Sequence, residues 1–153
     1  MKKWLLWFLV VLCVFMVGCT NVRPHNEIMK SSSFVDVEVN EIIFNGIGIK
    51  ITNKTDDFVE IVWDSSNLND YPLSFGNNLV TKALEKKPNT SIEPNGIFKK
   101  EMYIPEKIKM PAKLLLKLKK KNVEEYVSIM LEDRGEKIER KYNMWTGEWE
   151  SGK

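Results

Sequence analysis

A single histidine, His25, and two cysteines, Cys13 and Cys19, are all that 153 residues offer of the side chains that most often bind transition metals or act as neutral-pH bases and thiolate nucleophiles. Zinc and copper sites of the usual kind need several such ligands, so no metal and no cofactor is expected. The chain also lacks HExxH, GxSxG and Ser-x-x-Lys spacings. Carboxylate pairs occur at Asp56-Asp57, Glu124-Glu125 and Glu132-Asp133. Neighbours on a strand face opposite sides of the sheet, so each pair reads as solvated side chains and the chain as a non-enzyme. No DxDxDG phrase organises Asp56, Asp57, Asp64 or Asp70 into a calcium loop. The formal net charge is only +2, which argues against a general polyanion binder, and no nucleic-acid partner is expected.

Long apolar runs are missing too. The longest, Trp4 to Val17, covers 14 residues, about 21 Å as a helix, and falls short of the ~30 Å hydrocarbon core of a bilayer. Lys2 and Lys3 precede it, and the small Gly18, then Cys19 and the polar Thr20, follow. This layout is that of a secretory signal. Met16-Val17-Gly18-Cys19 resembles the lipobox of a bacterial lipoprotein, with methionine where leucine is usual. The resemblance implies cleavage between Gly18 and Cys19, attachment of diacylglycerol and a further acyl chain such as palmitate to Cys19, and a place in the bacterial cell envelope. Thr20 is not the aspartate that retains lipoproteins at the inner membrane of many diderm cells, so the outer membrane is favoured there. Cys13 would leave with the signal, and no disulfide could form in the remaining domain.

Charge is unevenly distributed along the rest. Nine lysines lie between Lys99 and Lys121 against Glu101 and Glu106, whereas residues 22–72 are predominantly acidic. The segment after Cys19 carries a proline, few large apolar residues and the triplet Ser31-Ser32-Ser33, and reads as a flexible tether. Period-two alternation begins at Phe34. Val35, Val37 and Val39 form one strand, Ile47, Ile49 and Ile51 another, and Val59, Ile61 and Trp63 a third. Further strands are expected over 79–85, 97–104, 113–119, 123–131 and 137–142, with turns at 53–57, 93–96, 120–122 and 133–135. Thus residues 1–18 read as a signal helix, 19–33 as lipidated cysteine and tether, 34–144 as a single all-β domain and 145–153 as a tail. Ile49-Lys50-Ile51-Thr52-Asn53 and Ser91-Ile92-Glu93-Pro94-Asn95-Gly96 resemble strand-turn phrases of small immunoglobulin-like domains. The fold expected from that resemblance is an antiparallel β-sandwich with Trp63 as its central tryptophan.

Two surfaces draw attention. Lys113, Lys117 and Lys119 share one face of a strand, either guarding a sheet edge or touching an anionic surface. Tyr71 and Phe75 in the long irregular stretch 65–78, and Trp145 and Trp149 near the end, are candidate anchors for a protein partner. The functional expectation is a membrane-anchored, non-catalytic envelope lipoprotein that binds or assembles with another envelope protein. An exclusion or immunity lipoprotein of a mobile element is the alternative, and a cell-envelope hydrolase the third reading. Cys19→Ala should abolish both acyl labelling and cleavage at this site, as read by metabolic labelling and the mass of the mature chain.

Overall fold

A computed structural model describes residues 21–75, 88–138, 140–143 and 148–151. The expected signal helix, Gly18, Cys19, the expected strand over 79–85 and Trp145 lie outside the described residues. The strands are β1 (Asn21–Lys30), β2 (Val35–Ile43), β3 (Gly46–Asn53), β4 (Val59–Ile61), β5 (Asn67–Leu68), β6 (Tyr71–Pro72), β7 (Thr90–Ile92), β8 (Ile97–Tyr103), β9 (Ala112–Lys120), β10 (Val123–Ile138), β11 (Arg140–Asn143) and β12 (Glu148–Ser151). The fold is all-β and antiparallel, and among the described residues a single 3₁₀ turn, Trp63–Ser65, is the only helical element. None of their helices is long and apolar enough to cross a membrane.

One curled sheet runs β6-β5-β9-β10-β1-β2-β3-β8, with β4 on β9 and β7 on β4, and β11-β12 forms a separate hairpin. The two ends of this path meet. Ser74, just past β6, exchanges backbone hydrogen bonds of 2.8 and 2.9 Å with Tyr103 at the end of β8. The interior is filled by the expected alternation: Ile47, Ile49 and Ile51 from β3, Val59 and Ile61 from β4, and Leu114, Leu116 and Leu118 from β9 are all fully buried. Gly46 lets β3 approach β8, since a Cβ there would lie 2.6 Å from the Met102 carbonyl oxygen.

β4 and β5 lie along the same edge of β9, interrupted by the turn that carries Trp63. The ladder is patched there. Val62 N–H donates to the Lys117 carbonyl at 2.9 Å. Ser66 Oγ accepts from Lys117 N–H at 3.0 Å and donates to the Val62 carbonyl at 2.8 Å. The interruption turns Trp63 fully into the core, where its Nε1 donates to Thr90 Oγ1 at 2.8 Å.

Three expectations need correction. Residues 21–30 are not a flexible tether but β1, paired with β10 from Asn21↔Ile138 to Lys30↔Ser128. Its hold is backbone pairing, while Ile28 and Met29 stay exposed, so hydropathy gives no sign of it. Asp133-Arg134-Gly135 does not end a strand. It is a bulge within β10, with Gly135 at φ +75° and its N–H bonded to Asp133 Oδ1 at 2.7 Å. The lysine strand is not an edge either, because β9 is paired on both sides.

β1 also joins the two halves of the sheet. Its ladder to β2 is the single pair Val22↔Ile42, supplemented by the Asn26 side chain, whose Nδ2 donates to the Val39 carbonyl at 3.0 Å and whose Oδ1 accepts from Val39 N–H at 3.1 Å. The clasp falls where β2 is irregular, between Val39 and Glu41. Asn26→Ala strands both backbone groups of the buried Val39, and should lower unfolding free energy by about 1–3 kcal/mol in urea titration.

Candidate functional site

Four connections gather at one end of the sheet, and Asn53 ties two of them together. This side chain is buried. Its Nδ2 lies 2.8, 3.2 and 2.9 Å from the carbonyls of Asp57, Ile92 and Glu93. Its Oδ1 accepts from the amide and hydroxyl of Thr55, both at 2.9 Å. The loop 54–58 and the turn 93–96 are thereby fixed to one buried amide. A third connection, Lys121-Asn122, joins them through the Lys121–Asp57 ion pair at 2.8 Å, with Lys121 held at φ +54°. The hydrogen bond from Lys121 keeps the Asp57 carboxyl below its ordinary pKa.

The fourth connection, Ser31–Phe34, is clasped by Glu125. The carboxylate accepts from Ser32 Oγ at 2.5 Å, Ser33 N–H at 2.8 Å and Ser33 Oγ at 2.7 Å. Burial pushes the Glu125 carboxyl up, but these donors, with Lys120 nearby, outweigh it and hold the carboxyl below its ordinary value. Lys120 also lies 4.8 Å from the Phe34 ring centre. Around this framework Phe58 (58% exposed), Ile97 (62%) and Val123 (53%) stand in solvent. Charged and hydrogen-bonded groups position the loops, and the apolar side chains remain displayed.

None of these three was selected as a candidate from sequence. Phe58 and Ile97 were legible by parity, since they alternate with the inward Val59 and the inward-leaning Phe98. Val123 was not, because it shares the face of the buried Val127 and only its position beside the turn exposes it.

The residues that were selected have other surroundings. Phe75 lies edge-on to Trp63, with ring centres 5.0 Å apart, and Lys100 Nζ sits 4.9 Å over its ring. Tyr71 is half-buried against the core, and its hydrogen bond with the Glu106 carboxylate raises the phenol above its ordinary pKa. Phe75 therefore completes the packing around Trp63, and Tyr71 packs against the core, rather than standing free. Lys113 is exposed, but Lys117 is paired with Glu124 at 2.8 Å, which raises the ammonium above its ordinary range against the opposing effect of burial. Register sets Lys119 between Glu60 of β4 and Glu124 of β10. The lysine face is thus partly neutralised by its neighbours. Trp149 lies in β12, directly opposite Tyr142 of β11 in register.

His25 is in β1, opposite Glu132 of β10. Glu124 and Glu125 go to opposite partners, Lys117 and the serines, as strand alternation requires. Among the described residues no three His, Cys, Asp or Glu side chains come together as a metal-holding group. No protein-family model matches the chain, and no curated protein or solved structure is significantly similar to it.

The Glu125 clasp carries a pH dependence of known sign. A carboxyl whose pKa is lower in the folded than in the unfolded chain contributes stability above its unfolded pKa, and the contribution disappears as pH falls through the folded value. Glu125→Gln should therefore be less stable than the parent at neutral pH in thermal unfolding, and the difference should close in acid.

Proposed function

We propose that this chain is a lipid-anchored, non-catalytic recognition module of the bacterial envelope, fixed at one end through Cys19 and presenting the loop end around Phe58, Ile97 and Val123 to a protein partner. The observation that carries this reading is polarity along one strand. β10 runs 16 residues, about 50 Å of path at ~3.3 Å per residue, from Val123 beside the displayed side chains to Ile138, which pairs with Asn21 just after the lipobox. A partner approaching from outside the bilayer meets the loop end first. If the cell has two membranes, Thr20 favours the outer one.

The finer fold assignment, an immunoglobulin-like sandwich, is part of the same proposal. Chain order supports it: β2-β3-β8 corresponds to strands A, B and E of such a domain, and β4/β5-β9-β10 to strands C, F and G. Trp63 follows the strand in the C position, where these sandwiches keep a buried tryptophan. On that correspondence the loop 54–58 is the B–C connection and Lys121-Asn122 the F–G connection, two of the loops that variable domains use for recognition. This is an analogy of architecture and lends weight to a surface, not to a ligand.

Tyr71 and Phe75 are less suited to recognition than their residue types suggest, because Phe75 supports Trp63. Exposed aromatic and aliphatic side chains on a pre-fixed framework cost little ordering on binding, and a few of them commonly dominate interface energy. Affinity capture of envelope proteins by the lipidated chain tests the reading. Phe58→Ser combined with Val123→Ser should weaken capture at least about tenfold, or ~1.4 kcal/mol, without lowering the unfolding temperature. Capture that survives this change, and is lost only when Lys113, Lys117 and Lys119 become glutamine, would replace the apolar loop end with the cationic face.

A further inference from the structure

The pairing of β1 with β10 brings the two ends of the folded chain together. Asn21, two residues after Cys19, lies opposite Ile138, and Arg140, two residues after Ile138, opens the β11–β12 hairpin. A chain spans at most ~3.6 Å per residue and paired strand residues lie ~5.5 Å apart, so covalent geometry and register hold the first residue of the hairpin within about 20 Å of Cys19. The hairpin places Tyr142 and Trp149 directly opposite one another in register, and Lys141 opposite Glu150.

We infer that the β11–β12 hairpin is a foot that rests in the headgroup region of the bilayer and sets the tilt of the domain on its lipid anchor. The inference builds on the lipoprotein reading, since a diacylglyceryl group on Cys19 is what brings that end of the ribbon to the membrane. The occupant follows from composition. Tyrosine and tryptophan are the residues enriched at membrane–water interfaces, where an apolar ring and a polar edge are both accommodated. Electrostatics does not supply the attraction. Residues 132–151 carry six acidic and four basic side chains, so an anionic headgroup gains nothing from the segment as a whole. Nor is the hairpin needed for residence, because the acyl chains already provide it. Its contribution is orientation: with β1 starting two residues past the anchor, there is no long linker to let the domain tumble, and a second contact point fixes the loop end away from the surface.

Tryptophan emission reads this directly. The full-length lipidated protein, in a Trp145→Phe background, is placed in phosphatidylcholine vesicles with acyl chains brominated near the headgroup and in matched unbrominated vesicles. After processing removes Trp4 and Trp7, the emitters are Trp63, fully buried in the core, and Trp149. The expected result is loss of most of the Trp149 share of emission in brominated vesicles, equal at low and high salt and abolished by Trp149→Phe. The unsubstituted chain should show a drop as well, which guards against a folding defect in the variants. An acylated, vesicle-bound protein whose emission is the same in both vesicles overturns the foot while leaving the anchor intact. Trp149 protected instead by a captured envelope protein does the same. A mass that lacks the diacylglyceryl group and retains residues 1–18 overturns both readings.

Discussion

The pairing of Asn21–Lys30 with the long strand β10 is the constraint on which the rest depends. It inserts a strand between the β9-β10 half of the sheet and the β2-β3-β8 half, so that one continuous ladder curls round a single core. Its contact with β2 is narrow, one backbone pair and the Asn26 clasp on Val39, and the curl is completed across the molecule by the Ser74–Tyr103 bridge. The same pairing decides what stands near the N-terminal segment. With Asn21 paired to Ile138, the start of the β11–β12 hairpin is brought to the same end.

From this follows a molecule with two unlike ends. At one, β1 and β10 pair at Asn21 and Ile138, and β11 begins two residues further along the chain. At the other, Asn53 and Glu125 bind polar groups of the connections, and Phe58, Ile97 and Val123 are large apolar side chains left in solvent. Some charged residues answer one another, Lys117 with Glu124 across β9 and β10, and at the loop end Lys54 with Asp36 and Lys121 with Asp57. Such pairs at the surface contribute little to stability individually, but they offset charge locally.

Much of the fold was legible because alternation reports burial. Leu114, Leu116 and Leu118 announce β9, and Val59, Ile61 and Trp63 announce β4 and the core tryptophan. Contacts made by backbone or by residues distant in sequence leave no such trace. β1 has almost no apolar face, and Asp133-Arg134-Gly135 has turn chemistry whether it reverses a strand or bulges within one. The lysines of β9 look unopposed until Glu60 and Glu124 arrive from neighbouring strands. Aromatic type alone does not reveal that Ser74 hydrogen-bonds back to β8 and carries the Phe75 ring to Trp63. At the loop end, Phe58 and Ile97 could be read outward by parity, whereas their sharing that end with Val123 needed the topology.

Amide hydrogen exchange tests the central claim most directly. If β1 is part of the sheet, the amides of residues 21–30 that face β10 exchange as slowly as those of β10 itself and open with it. Exchange of that segment at the rate of an unstructured peptide, with the rest of the sheet still protected, would contradict the account: it would restore a flexible tether and release both ends of the domain from the arrangement described.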